Sequence, residues 1–144
     1  MNKSKTSLVL MELIITILFF SLASAVCVQL FVNAHLVAKD TKKLNAAINI
    51  TQSISEVMKG CSGSLKEIQE YFPSASGDDD YFVVYYDENF KETEDFENAS
   101  YAADVTVTSV GRLYNMDVTL LQLSDYQEIY SLSSSKYIRK SENK

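Results

Sequence analysis

The stretch from Leu8 to Val32, LVLMELIITILFFSLASAVCVQLFV, decides the fold of this chain. It contains 25 residues and one charged side chain, Glu12. A helix rises about 1.5 Å per residue, so one of this length reaches roughly 38 Å, more than the ~30 Å hydrocarbon core of a bilayer. The sequence therefore predicts a membrane-spanning helix over residues 8–32.

Glu12 is the unusual residue of this segment. An acidic side chain at the centre of a bilayer costs roughly 2.5 to 3.5 kcal/mol on insertion scales, so such a residue usually has a partner or a function. One interpretation is that Glu12 lies about one turn inside the membrane edge and extends its carboxylate to the headgroups. The other starts from the leader MNKSKTS, residues 1–7, which is short, basic and polar and is followed directly by the apolar run.

This arrangement resembles the N-terminus of the type IV pilin and pseudopilin family. The resemblance depends on the leader lysines, on the Ser7–Leu8 junction and on the run VLMELII, in which Glu12 is the fifth residue counted from Leu8. In that family a prepilin peptidase removes the leader, and the new first residue is N-methylated. The resemblance implies cleavage between Ser7 and Leu8, methylation of Leu8 and a role for Glu12 in assembly. Ser7 replaces the usual Gly of the family, and Leu8 the common Phe or Met.

The chemistry of cleavage explains why a glutamate is needed at this position. A cut before Leu8 exposes an α-amine, whose reference pKa is near 7.7 to 8.0. When helices pack side by side with a stagger, the Glu12 carboxylate of one subunit can meet the amine of its neighbour, and two charges that are unfavourable alone are tolerated as a pair. The implied partners are other pilin-like subunits, the prepilin peptidase/methyltransferase, an inner-membrane assembly platform and membrane lipid.

Three other interpretations of the N-terminus stay open. Ala23-Ser24-Ala25 fits a signal-peptidase site that would release a domain beginning at Val26. A lipoprotein interpretation through Cys27 is weaker, because bulky Val26 stands where a small residue is needed. An unprocessed single-pass anchor requires only the hydropathy of the segment.

The charges indicate an orientation and exclude one class of ligand. Lys3 and Lys5 lie in a very short tail that we expect to stay cytoplasmic, with the bulk of the chain outside the cell. The formal net charge is -6, and nine acids face only Lys91 between Asp78 and Glu97. Nucleic-acid binding relies on Lys and Arg at the phosphates, so we expect no direct nucleic-acid contact.

The helical pattern continues beyond the membrane segment. Residues 33–59 contain neither Pro nor Gly and repeat apolar side chains at spacings of three and four, which predicts an amphipathic half of the same helix, ended by Gly60. Residues 60–80 predict a short helix capped by Ser62 or Ser64, followed by an acidic loop.

The last part of the chain, residues 81–144, predicts an antiparallel sheet. Residues 81–86 are apolar on both faces, which predicts a covered strand, and alternating segments around Gly111 predict a hairpin. A last strand precedes a polar tail, which we expect to begin at Ser133. The predicted fold is α+β and pilin-like, with one long N-terminal helix, half in the membrane and half amphipathic, packed on a small antiparallel β-meander.

No motif predicts an enzyme, a metal site or a cofactor. His35 is the single histidine, and no phosphate-binding loop or nucleophile motif is present. The sequence therefore predicts a non-enzymatic structural subunit of a type IV pilus-like filament or of a type II secretion or competence pseudopilus, more plausibly a minor subunit. The alternative is a membrane-anchored or signal-peptide-exported extracellular binding domain that does not polymerise.

Overall fold

The computed structural model describes residues 3–61 and 64–137 and has an α+β fold. Two helices precede five strands: α1 Lys3–Gly60, α2 Leu65–Gln69, β1 Ser76–Gly77, β2 Tyr81–Tyr86, β3 Tyr101–Val110, β4 Leu113–Gln122 and β5 Gln127–Tyr137. The chain divides into two compact units, Met1–Thr41 and Lys42–Lys144, and α1 contributes to both. The predicted fold class, a long N-terminal helix packed on an antiparallel sheet, is confirmed.

The first unit consists of the N-terminal part of α1. The helix begins at Lys3, five residues before the predicted start at Leu8, because no Pro or Gly separates the leader from the apolar run. The predicted leader residues Met1 and Asn2 lie outside the described residues. All side chains from residue 5 to residue 41 are exposed, and the helix is long and apolar enough to cross a membrane.

The second unit is built around residues 42–60 of α1. Ala47, Thr51, Ile54, Ser55 and Met58 are buried, and their spacing of three and four residues puts them on one face of the helix. The helix ends at Gly60, as predicted, and the Cys61 amide donates to the Val57 carbonyl at 2.9 Å. This half of α1 therefore supplies one layer of the hydrophobic core.

The sheet supplies the other layer. Its strands are antiparallel throughout and follow the order β1-β2-β3-β4-β5, so each strand pairs with its neighbour in sequence. The register aligns Phe82 with Val105, Val105 with Val118 and Val118 with Leu132 across four strands. The first three of these side chains are fully buried, and they pack with Ile54 and Ile68 in one core cluster.

Three features of the sheet region differ from the sequence prediction. The strand at residues 81–86 is covered on one face only: Phe82, Val84 and Tyr86 are buried, whereas Tyr81 is exposed and Val83 and Tyr85 are half-buried. The core layer packs on that one face, and residues 81, 83 and 85 lie on the other. The predicted acidic loop also contains the short strand β1, which pairs with β2.

The predicted tail is the third difference. β5 continues to Tyr137, so residues 133–137 belong to the sheet. Their hydroxyl groups pair with polar side chains of β4: Ser133 donates to Asp117, and Ser135 donates to Asn115 Oδ1 at 2.8 Å. Residues 138–144, the rest of the predicted tail, lie outside the described part of the chain.

The short helix α2 is confirmed, but its N-terminus is capped from an unexpected direction. Ser64 occupies the N-cap position and makes no side-chain capping bond. The Leu65 amide instead donates to Asp79 Oδ1 at 2.7 Å. One of the three consecutive aspartates thus satisfies a helix terminus, while Ser62, the other predicted cap, lies outside the described segments.

Candidate assembly site

The predicted processing and assembly residues lie on neighbouring turns of α1. Ser7 and Leu8 are both helical, and Leu8 is 68% exposed. Glu12 follows Leu8 by four residues, which corresponds to about 6 Å along the helix axis and about 40° around it. Leu8 and Glu12 therefore share one side of the helix, so a group that approaches this side can reach both residues.

The carboxylate of Glu12 has no partner among the residues that the structure describes. Among residues 3–61 and 64–137, no hydrogen bond or ion pair to this carboxylate is formed; only its main-chain carbonyl accepts a bond, from Thr16 Oγ1 at 2.8 Å. Large apolar side chains surround it, including Leu8, Met11 and Ile15, which are 68%, 63% and 48% exposed. A charge in such a setting calls for a partner outside the chain if the surrounding medium is lipid.

Small side chains continue along the side of α1 on which Glu12 lies. At about 100° per residue, Thr16, Ala23, Cys27 and Ala34 fall between roughly 20° and 60° to one side of Glu12, at successive spacings of seven, four and seven residues. We call these four residues the small-residue face. The large side chains of Leu30 and Phe20 border this narrow strip at about 0° and 80°. Small residues in membrane helices allow two backbones to approach closely, so this face is the part of the helix best suited to contact a second helix.

A shallow depression of about 470 Å³ adjoins the small-residue face. It is lined by Thr16, Ile17, Phe20, Ser21 and Ser24. The hydroxyl groups of Thr16 and Ser21 donate to the carbonyls of Glu12 and Ile17, each at 2.8 Å, so these donors are satisfied within the helix. The depression can therefore receive an apolar side chain from another helix without breaking the hydrogen bonds of the Thr16 and Ser21 hydroxyl groups.

The apolar surface of this unit is continuous. Large hydrophobic side chains from Leu8 to Val37 are each 48% to 79% exposed, and Phe31 is the most exposed of them. Contiguous apolar surface of this extent marks a membrane or protein interaction site. The sequence correctly indicated a helix long and apolar enough to cross a membrane, but the small-residue face was missed because its spacing is hidden among the many apolar residues.

The structure also places the other residues singled out in the sequence, the histidine and the two cysteines. His35 is exposed on α1, and Cys27 and Cys61 are both free thiols. Burial raises the pKa of Cys61, with a further increase from Glu67 and a partial decrease from Lys136. Among the residues that the structure describes, no group of three His, Cys, Asp or Glu side chains could hold a metal ion.

A depression of about 340 Å³ lies in the second unit, at one end of the sheet. It is lined by Ala99, Ser100, Tyr101, Gln122, Leu123 and Ser124. Gln122 accepts a hydrogen bond from Lys43 Nζ at 2.9 Å and donates one to Ser124 Oγ at 2.7 Å. These polar groups bind one another and join the sheet to α1, which makes the depression a structural junction.

Aromatic side chains pack beside this junction, with Tyr86 and Tyr101 buried and Phe90 half-buried. Phe90 and Tyr101 stack with ring centroids 4.3 Å apart. Burial, and to a smaller extent the charge of Glu92, raises the pKa of Tyr86 far above its ordinary value, so its hydroxyl stays protonated.

Comparison of the chain with protein-family models, with curated proteins and with solved structures finds no match.

Proposed function

We propose that this chain is a structural, non-enzymatic subunit of a type IV pilus-like filament or of a type II secretion or competence pseudopilus. One observation carries the proposal: Glu12, whose carboxylate has no partner among the described residues, stands four residues after Leu8 on the same side of a largely apolar helical segment, at the start of the small-residue face. This is the arrangement that a staggered helix bundle needs.

Processing creates the partner that Glu12 lacks. Removal of the leader between Ser7 and Leu8 by a prepilin peptidase, followed by methylation of Leu8, leaves a cationic amine at the head of the helix. The precursor lies in the cell membrane as a single-pass protein with its N-terminus in the cytoplasm and its sheet domain outside. An inner-membrane assembly platform then moves it into an extracellular filament of pilin-like subunits.

The spacing of the two charges sets the stagger between neighbours. An amine at Leu8 of one subunit that meets Glu12 of the next requires an axial offset of about 6 Å, the rise of four helical residues. The small-residue face lets the two backbones approach closely enough for this contact. Removal of one partner from a buried ion pair costs about 3 to 5 kcal/mol, so assembly in any other register is strongly disfavoured.

The experiment compares Glu12→Gln with Gln29→Leu in the cells that produce the protein. Gln29 is the other polar residue with a long side chain in the segment, and helical geometry places it about 100° from Glu12 on the side away from the small-residue face. We expect both variants to insert in the membrane, Glu12→Gln to be lost from sheared filaments and Gln29→Leu to be retained. Normal incorporation of Glu12→Gln would contradict the proposal.

A second matched pair tests the small-residue face. Ala23→Phe places a bulky ring on that face, whereas Ala25→Phe places the same ring about 160° away from Ala23 around the helix. We expect only Ala23→Phe to reduce the amount of the protein in sheared filaments. Equal incorporation of both variants would show that this face does not pack against a neighbour.

The continuous helix across Ser7 and Leu8 supports a second candidate, an unprocessed membrane-anchored domain that does not polymerise. In that case Glu12 needs no partner subunit, because its carboxylate extends to the headgroups. The chain would then keep Met1 and would be found in membranes and not in filaments.

A further inference from the structure

The two edges of the sheet are covered to different extents. Along β2, the strand β1 pairs with Phe82 and Val83, and the Asp78 amide donates to the Tyr81 carbonyl at 2.7 Å. At the other end of β2 the Thr93 amide donates to the Tyr85 carbonyl at 3.0 Å, and Tyr86 forms a bridge with Glu92. The β2 edge is therefore blocked at both ends.

The edge formed by β5 is open. Over residues 128–137 its backbone pairs with β4 on one side, and no other backbone group within the described residues bonds to it. β5 is also one of the longest strands of the sheet, with 11 residues and neither Pro nor Gly. Open edges of this kind present a row of unpaired N–H and C=O groups, which bind another extended chain.

The usual protection of an edge by charge is weak here. Between residues 129 and 137 the only charged side chain is Lys136. Its Nζ donates to the Cys61 carbonyl at 2.7 Å, at the end of α1, so the ammonium group is held against the helix. Lysine on an edge strand normally discourages strand addition, and this one is held by an intramolecular contact.

We propose that the β5 edge receives an extended segment of another protein, which adds to the sheet as a sixth, antiparallel strand. The backbone of β5 recognises any extended chain, and its side chains specify which kind. On one face, Ser131, Ser133 and Ser135 continue a row of hydroxyl, carboxylate and carboxamide groups on β4, with Ser131 Oγ 3.0 Å from Thr119 Oγ1. On the other face, Tyr130 and Leu132 are half-buried and leave apolar surface at the rim of the core.

The partner segment therefore alternates hydroxyl and apolar side chains. Its end charges follow from the charges at the two ends of β5, which are Glu128 near its start and Arg112, whose side chain donates to the Tyr137 hydroxyl, at its end. An antiparallel partner with an acidic residue at its N-terminal end and a basic residue at its C-terminal end would place opposite charges together.

A second copy of the chain is disfavoured as the occupant. The start of β5 pairs with Gln122, whose side chain binds Lys43, and Lys136 near the end of β5 binds the Cys61 carbonyl. The strand therefore runs in the same direction as residues 43–61. Antiparallel pairing of two β5 strands would make these helical segments antiparallel as well. Filament subunits whose α1 helices pack in parallel therefore cannot pair through their β5 strands. Only this exclusion of a second copy depends on the proposed function.

The test uses the full chain in lipid nanodiscs and a fluorescent nonapeptide with Glu first, Lys last and alternating Val and Thr between them. A control peptide exchanges the two end charges. Two further peptides carry N-methyl groups on alternate residues, one on the odd positions and one on the even positions. Only one set of amides faces the protein in an antiparallel pair, so N-methylation distinguishes strand addition from other binding.

We expect the parent peptide to bind, the charge-exchanged peptide to bind more weakly and one N-methylated peptide to lose roughly 100-fold or more in affinity while the other retains it. Hydrogen exchange of the β5 amides should slow on binding. Absence of binding by the parent peptide, or equal binding by both N-methylated peptides, would overturn the proposal.

Protein variants test the same edge independently of the peptide chemistry. Of the adjacent residues Ser133 and Ser134, one directs its amide to β4 and the other to the open edge, and Pro is tolerated at the latter position. We expect the Pro variant that keeps its near-ultraviolet circular dichroism to lose peptide binding. Unchanged binding by that variant, or a dimer cross-linked through β5, would overturn the proposal. Neither measurement involves Glu12 or filament formation.

Discussion

Replacement of Ile54 by Ala tests whether residues 42–60 of α1 carry the core of the second unit. Ile54 is fully buried in the cluster that includes Phe82, Val84 and Val105. Removal of its three outer carbons loses about 2.4 kcal/mol of transfer free energy at ~0.8 kcal/mol per carbon. The cavity left behind raises the expected loss in the free energy of unfolding to about 3 or 4 kcal/mol. A domain of this size has about 5 to 15 kcal/mol in total, so the effect is large.

The assay is thermal unfolding of the full chain in detergent micelles, followed by the near-ultraviolet circular dichroism of tyrosine. All nine tyrosines lie between residues 71 and 137, so this signal reports on the second unit alone. We expect Ile54→Ala to lower the midpoint by more than about 10 °C. The control is Gln52→Ala, an exposed position on the same helix, which should change it little. Equal midpoints for the two variants would refute the conclusion that this helical half is part of the core.

Three further predictions concern the second unit and use the same unfolding signal. Gly77→Ala should lower the free energy of unfolding by about 2 kcal/mol or more, because φ of Gly77 is +143° and a Cβ would collide with the Tyr81 carbonyl. Gly60→Ala is the control and should stay within about 0.5 kcal/mol of the parent, since no atom lies within 4 Å of its Cβ position. Lys136→Met should lower the free energy of unfolding by about 1 to 2 kcal/mol, because the hydrogen bond to the Cys61 carbonyl is lost. The same variant should raise the pKa of the Cys61 thiol further, because the charge of Lys136 lowers it. The pH dependence of Cys61 alkylation measures this shift, and an unchanged alkylation profile would contradict the contact. Burial raises the pKa of the Asp104 carboxyl group despite its hydrogen bond from Tyr81, so folding favours the protonated form. The free energy of unfolding should therefore fall as the pH rises from the ordinary aspartate pKa through the raised pKa of Asp104. Asp104→Asn should remove this fall, and an identical pH profile for the variant would count against it.

Much of the fold follows from the sequence because its signals are local. The apolar run from Leu8 and the amphipathic pattern up to Gly60 are properties of one helix, and both are confirmed. The strand around Val105 alternates in hydrophobicity with period two, so it too was predicted from its own residues. Each of these signals lies within a single element and does not depend on residues distant in sequence.

The differences arise where distant residues determine local structure. The cap of α2 comes from Asp79, 14 residues after Leu65, and no spacing rule predicts it. Residues 133–137 appeared to be a polar tail because their strand pairs through Ser side chains with Asp117 and Asn115, which hides the period of two. The open edge of β5 is likewise invisible in the sequence, because it depends on which strands have neighbours.

The residues of the candidate assembly site follow in part from the sequence. Glu12 and the junction before Leu8 were identified from the order of residues, and the structure adds that Glu12 and Leu8 share one side of α1 and that the carboxylate has no partner within the described residues. The small-residue face could have been found from the spacing of Ala23, Cys27 and Ala34. Whether the junction is cut depends on a peptidase, and no property of the folded chain determines it.

The most direct test of the account is the mass of the N-terminal peptide of this polypeptide, recovered from sheared filaments of the producing cells. The account predicts a peptide that begins at Leu8 and carries a methyl group on its α-amine. A peptide that begins at Met1 or at Val26, or the absence of the polypeptide from the filaments while it is present in the membrane, would contradict it.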